Sequence, residues 1–529
     1  MEPFALTVAL PIFGLIALFC LPSRIANRRA KLVRNLVTTV VGVECLFALS
    51  LTVGLAVKGV PSQSIKLIEV WRDLGLNLDV FVDGAASLML MLVSFVGFVV
   101  SRFSIRFLDG ERLQGRYFRW LGFTIGAVSL MVVAGNLLLF FLAWVATSFG
   151  LHQLLLHYRH RAAAHRAAWT KFAISRFGDA LLIGALALTY YAFGTFELTE
   201  LFSRARDLAT SASQVTASHV AIGWLLVLGA VTKSAQFPFH TWLPDTMETP
   251  TPVSALMHAG IVNAGGYLII RMSPLVALAP TAMISLAVIG AFTACFAGVV
   301  MMTQTSVKRS LAYSTIAQMG FMMLQCGCGA FSAAMLHILA HSLYKAHAFL
   351  GSGSVVSQAL ATTGAKSPQP SPHLSLAYLL GAAAISAFAY AAVSSAFDVN
   401  VVTKPGGVIL ALVVCLALTT WGWRLLSVGE ITTMLLGMTG ISGLCLAYTA
   451  SYLAVSHWLQ ATTPLFAIPP TPRFVLLAIA LAFCALFWLH FVVIRRVRPN
   501  WLNSLRVHAA NGFYIDTVYR RLLTPLARS

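Results

Sequence analysis

The chain has 529 residues, of which 58% are hydrophobic and only 10% charged, with a formal net charge of +19. Soluble domains carry roughly a quarter charged residues, so this balance excludes a soluble enzyme, a disordered chain, a fibre and a disulfide scaffold. The length instead measures membrane spans of about 20 residues each.

In chain order, apolar runs predict an all-α polytopic membrane protein with about fifteen transmembrane helices. They start near residues 4, 34, 79, 120, 137, 172, 219, 252, 281, 310, 331, 374, 405, 430 and 473. The first run is too long and too lightly charged in front to read as a cleaved signal peptide. With the N-terminus outside, Arg24, Arg28, Arg29, Lys31 and Arg34 fall in the first inner connection. Arg102, Arg106, Arg112, Arg116 and Arg119 fall in the next, and Arg159 to Lys171 and Arg495 to Arg498 follow on the same side. That is the positive-inside pattern. The charge surplus therefore reads as topology plus contact with anionic membrane lipid, with no nucleic acid expected as a partner. The expected orientation is N-terminus outside and C-terminus inside, which the resemblance given below implies are the periplasm and the cytoplasm on either side of a bacterial inner membrane.

Two stretches differ in character. Ala361 to His373, with three prolines among Thr, Gly and Ser, reads as a flexible inner connection. Beyond Pro499, the residues Leu505, Val507, Phe513, Ile515, Val518 and Leu522 interleave with Arg506, Asp516, Arg520 and Arg521. This tail reads as an interfacial or partner-docking helix, with Phe513, Tyr514 and Tyr519 as candidate docking residues. The eight cysteines show no paired zinc-ligand spacing, since Cys326-Gly-Cys328 has no second pair. They read as packing thiols, and no metal site is expected in this chain.

Polar residues stranded inside the apolar runs carry the functional signal, because an ionisable group at membrane depth is expensive. Lys233 ends a long apolar run five residues before Pro238, and that proline breaks the span. Broken spans expose backbone groups that need a water-lined or protein-buried site. A lysine there can release and recover a proton; the alternative is one that snorkels to the interface. His337, His341 and Lys345, spaced by four, share one helical face. Each step covers roughly 6 Å, so waters rather than direct ring contacts would link them into a proton relay. The alternative is histidines satisfied by neighbouring carbonyls. His347 lies on a different face. His258 precedes Gly260, Gly265 and Gly266, which let helices approach closely. Lys308 is ambiguous beside Arg309. Glu44, Asp83 and Asp179 are the main acidic groups at membrane depth, and Asp179 can pair with Arg176 three residues back.

The stretch KSAQFPFHTWLPDTMETPTPVSALMHAGIVNAGGYLIIR, followed by VKRSLAYSTIAQMGFMM and HSLYKAHAFLGSGSVV, resembles the antiporter-like proton-channel family. That family includes the L-type subunit of respiratory complex I and the A-type subunit of multisubunit sodium/proton antiporters. The resemblance implies two inverted five-helix repeats, with a broken helix at Lys233–Pro238 in the first. Expected divisions are 1–117 for N-terminal helices, 118–275 and 276–425 for the repeats, 426–498 for C-terminal helices and 499–529 for the tail. By the resemblance, Lys233 matches the central lysine and His258 the connecting histidine. Lys308, His337, His341 and Lys345 match the polar axis along the membrane midplane, and Asp179 an aspartate near the first half-channel.

The departures are informative. Where complex I subunits carry Trp-Glu, this chain has Trp144-Val145, so Asp179, Glu44 or a partner must supply the anion for Lys233. A second broken helix is doubtful in AAAISAFAYAAVSSAFDVN, which has neither proline nor lysine where one is expected, and only about 35 residues follow the last span. These features make the chain most similar to the membrane subunits of the DAB inorganic carbon transporters. That likeness implies a DabA-like zinc partner resembling a β-carbonic anhydrase, with zinc held by the partner and no cofactor in this chain. The implied role is an ion-conducting, non-enzymatic subunit of an inorganic carbon pump. The alternatives are a subunit of a sodium/proton antiporter or complex I-like pump, and a membrane anchor with a decayed proton path.

Overall fold

The structure, a computed structural model, describes residues 2–58, 63–71, 76–210, 215–355, 372–404, 406–428, 430–460, 462–463, 471–494 and 500–523. The expected connection 361–373 therefore lies outside the described residues except for its last two, and so do Arg495 to Arg498.

The chain opens with α1 (Glu2–Ala17), α2 (Ser23–Arg28) and α3 (Ala30–Lys58), followed by β1 (Gln63–Trp71) and β2 (Leu76–Val82). Then come α4 (Gly84–Phe107), α5 (Gln114–Val133), α6 (Leu137–Leu155), α7 (Ala162–Phe193), the short α8 (Leu198–Thr210) and α9 (Ala217–Lys233). A turn (α10, Trp242–Asp245) leads to α11 (Thr251–Ala259), α12 (Ala264–Arg271) and the turn α13 (Ser273–Val276). The second half holds α14 (Pro280–Met301), α15 (Val307–Gly327), α16 (Phe331–Leu350), α17 (Pro372–Ala396), α18 (Gly407–Leu426), α19 (Ile431–Trp458) and α20 (Arg473–Ile494). The tail forms α21 (Asn500–Ala510) and α22 (Ile515–Leu523).

Each expected apolar run corresponds to one helix, or to the pair α11 and α12 for the run near residue 252. Ten described helices are long and apolar enough to cross a membrane, and α1 and α9 contribute shorter apolar stretches. The protein is thus a polytopic helical membrane protein with one addition, the antiparallel hairpin β1–β2. The third span accordingly begins at Gly84 rather than near residue 79. Asp83 caps it by accepting a hydrogen bond from the Ala86 N–H at 2.8 Å.

The connections sort onto two sides. On one, Arg119 donates to Leu18 O, Phe19 O and Ser23 Oγ, Arg34 meets Asp109, Arg161 meets Glu248, and Gln304 Nε2 reaches Ala510 O. This is the side of the basic clusters. On the other, Arg271 makes a bidentate pair with Asp83 at 2.7 and 3.0 Å, Thr462 donates to the same carboxylate at 2.6 Å, and Tyr267 donates to Val132 O at 2.7 Å.

Residues from α1 to α16 share one continuous hydrophobic core. In contrast α17, α19 and α20 turn Leu380, Phe388, Leu436, Phe474 and Leu477 outward, an apolar surface suited to lipid contact. A break of the expected kind ends α9 at Lys233, whereas α17 runs unbroken from Pro372 to Ala396.

Candidate functional site

The site begins on α6. Asn136 accepts hydrogen bonds from the Leu138 and Leu139 N–H groups and so fixes where the helix starts. Four-residue spacing then stacks Trp144, Ser148 and His152 on one buried face. Against this face α7 presents Lys171 and Asp179, and α9 presents Lys233 at its last position.

Helix α9 ends there for local reasons. Ala235 adopts a left-handed backbone, φ 49°, and Pro238 brings no N–H to continue the ladder. The Phe237 N–H instead donates to Thr293 Oγ1 on α14 at 3.1 Å. Gly265 lets α12 close on this last turn, since a Cβ there would meet Ser234 Oγ and Ala230 O.

Lys233 is buried, 6% exposed. Its Nζ donates to Ser148 Oγ at 2.8 Å and to Trp144 O at 3.2 Å and sits 4.3 Å from the centre of the Trp144 ring, a cation–π arrangement. The Trp144 indole N–H in turn donates to Asp179 Oδ1 at 3.1 Å, and Asp179 Oδ2 pairs with Arg176 at 2.6 Å. Asp179 thus faces Lys233 across the indole. Val145 packs, half-buried, against the core. Glu44 is also buried but lies on α3 facing Ser129, in the part of the bundle formed by α1, α3, α4 and α5.

Lys171 is a residue the sequence reading missed. It was counted among the basic residues of an inner connection, yet it is buried and donates to Ser148 O at 2.7 Å. The legible signal was its spacing of eight from Asp179, which puts both on one face of α7.

The second cluster lies on α16. The rings of His337 and His341 are 5.9 Å apart, His341 faces the backbone carbonyl of His258, and His258 stacks on Phe349 at 4.3 Å. Lys345, fully buried, donates to Leu311 O at 3.3 Å. His347 is exposed. Both ring nitrogens of His258, Nε2 of His341 and Oδ1 of Asn263 make no hydrogen bond with protein. Ordered water is the usual partner of such buried polar atoms.

The two clusters meet at the interruption between α11 and α12. Ser234, next to Lys233, donates to Val262 O at 2.7 Å. Asn263 donates to Ser342, next to His341, at 2.8 Å. Asn263 was not singled out from the sequence, although an amide in an apolar run beside two glycines was readable there.

Lys308 stands apart from both. It occupies the first turn of α15 and donates to Thr251 Oγ1 at 3.0 Å, on the basic side rather than between the clusters. Phe513 packs on Phe296 of α14 at 5.6 Å and Tyr514 on His508 at 5.6 Å, while Tyr519 lies against the main core. The tail therefore folds back on its own chain, with Phe513 and Tyr514 still partly exposed.

Residues 134–388 match the family described as NADH:quinone oxidoreductase/Mrp antiporter, TM. Residues 70–118 match the N-terminus of chain 5 of NADH-ubiquinone oxidoreductase (complex I). The first match contains both clusters and Lys308, whereas Glu44 lies outside both. The "Probable inorganic carbon transporter subunit DabB2" of Halothiobacillus neapolitanus is 38% identical over 84% of this chain and 80% of its own length. The "Probable inorganic carbon transporter subunit DabB" of Hydrogenovibrio crunogenus is 41% identical over 57% of this chain and 58% of that one. In three dimensions the chain is similar to a chain of the Mrp complex from Dietzia sp. DQ12-45-1b, with a TM-score of 0.69 and 26% identity. That match covers 99% of this chain and 60% of the Mrp chain. By identity and coverage together, this antiporter-like membrane subunit belongs to the family of inorganic carbon transporter subunits named DabB.

Proposed function

We propose that this chain conducts protons for an energy-coupled inorganic carbon uptake complex. Ion flow through it would drive carbon dioxide hydration in a DabA-like zinc partner resembling a β-carbonic anhydrase. The observation that carries the reading is the Lys233 amine, buried at a helix break and held by Ser148 and Trp144 with Asp179 behind the indole. Such an amine can change partners when it changes charge: as an ammonium it has three donors and needs a counter-charge, and as a neutral amine it keeps two donors, gains a lone pair and needs no counter-charge. Lys171 bonds the carbonyl of the same Ser148 and supplies the adjoining step on the α7 side. Ser234, Asn263 and Ser342 lead from the break toward His341, His337 and Lys345. Carbon chemistry belongs to the partner, whose zinc would supply an activated water. The basic side is the cytoplasmic one in this reading, which puts the N-terminus in the periplasm.

The test is rescue of a carbonic-anhydrase-deficient cell grown in air. Lys233→Ala abolishes rescue while the complex still co-purifies; full rescue by that variant removes the mechanism. A second reading, a subunit of a sodium/proton antiporter or complex I-like pump, is favoured by the likeness to the Mrp chain. Co-purification separates the two: a zinc protein supports the first, quinone- or NADH-linked subunits the second.

A further inference from the structure

Helices α14 and α20 stand side by side, and the tail helix α21 crosses their basic-side ends. Two cavities lie between these three elements. The first, about 290 Å³, is lined at the turn after α14 by Thr303, Gln304, Asn503 and Arg506. The second, about 500 Å³, is lined farther along the helices by Phe292, Phe296, Leu486 and Phe513. Val299, Leu489 and Leu505 line both, so the two are ends of one cleft. One end offers the Arg506 guanidinium and the Asn503 side-chain amide, with no acidic residue among its described lining, while Thr303 Oγ1 already donates to Val300 O and Gln304 Nε2 to Ala510 O. The other is hydrocarbon and opens sideways, where Phe292 is 52% exposed.

That polarity sits in register with a bilayer: the charged end is at the helix ends on the basic side, the apolar end along the spanning segments. We propose that the cleft is a binding site for one anionic phospholipid of the basic-side leaflet. The phosphate is held by Arg506 with Asn503, and one acyl chain runs against Phe296 and Phe513. Charge complementarity selects the occupant: a guanidinium beside an amide donor suits a phosphate. The acyl chain also touches Phe237, whose ring packs on Phe292 and Phe296 at 4.8 and 5.5 Å and whose backbone belongs to the break after Lys233. The site therefore braces that break from the lipid side.

The experiment uses the full-length protein, stripped of lipid in detergent and titrated with dioleoylphosphatidylglycerol or dioleoylphosphatidylcholine, with bound lipid counted by native mass spectrometry. One phosphatidylglycerol is expected to bind about fivefold tighter than phosphatidylcholine, as about 1 kcal/mol for a single arginine implies. Arg506→Gln removes that preference and Arg506→Lys keeps it, while Ala485→Trp, which fills the apolar end, weakens both lipids. Thermal melting confirms that the variants fold, and Val299→Phe replaces Ala485→Trp if that variant does not. Equal binding of the two lipids by the wild type overturns the proposal. So does undiminished binding of both lipids by Ala485→Trp, which marks a surface charge effect, or displacement of the lipid by inorganic phosphate alone, which marks a phosphate site without an acyl groove. Displacement by a second copy of the chain or by a co-purifying protein likewise overturns it.

Discussion

Two lysines converge on one serine: Lys233 bonds the hydroxyl of Ser148 and Lys171 its carbonyl. Two buried ammonium groups this close repel each other, and Asp179 is the acid placed to offset them. In the proposed mechanism this arrangement supplies what Val145 does not: the anion comes from α7 and acts through Trp144. Asp179→Asn keeps an acceptor for the indole but removes the charge. It should lower proton flux through vesicles containing the reconstituted complex about tenfold, equivalent to about 1.4 kcal/mol. Lys171→Met should lower flux similarly with assembly intact; wild-type flux in that variant makes Lys171 a structural cation only. Lys233, His258 and the α16 row were legible because each interrupts an apolar run. Lys171 was hidden by its basic neighbours, which make a buried amine look like one more topology charge.

At the scale of the element, the break after α9 depends on a residue far away in sequence. Pro238 announced that the helix must stop, but nothing in the sequence said that the Phe237 N–H would find Thr293 on α14. Thr293→Val keeps the shape and deletes the acceptor. It should cost about 1–3 kcal/mol, the range for an orphaned buried donor. Thermal melting of the purified protein measures it, and Thr293→Ser should restore most of the loss. The hairpin escaped the sequence reading for a different reason. Leu76, Leu78, Val80 and Val82 alternate as a strand should, but they adjoin the apolar run of α4, and a search for bilayer-length runs absorbs them. Helix α17 followed its composition: with no proline in its middle, it continues as one helix.

For the molecule as a whole, the apolar runs and the one-sided basic clusters specified the order of helices and the two sides, since span length and the cost of crossing charge are readable locally. What joins distant segments was not readable. Arg271 and Asp83, 188 positions apart, are each 1% exposed and tie α4 to α12, and Thr462 adds the segment after α19. Arg271→Leu strands a buried carboxylate and should destabilise the protein by about 3–5 kcal/mol. Adding Asp83→Asn removes the stranded charge while keeping an acceptor for the α4 cap, so the double variant should melt above the single one.

The arginines of the basic side carry a last consequence. Arg119 satisfies its guanidinium with two main-chain carbonyls and a serine, none of which bears a full negative charge. Its donors are quenched, but its monopole is not. With 36 basic and only 17 acidic residues, a net charge of +19, the cations of the chain cannot all be cancelled one for one, so a positive potential reaches into the surrounding water. Dissolved anions are enriched in front of it, and the enrichment fades as ionic strength shortens the reach of the field.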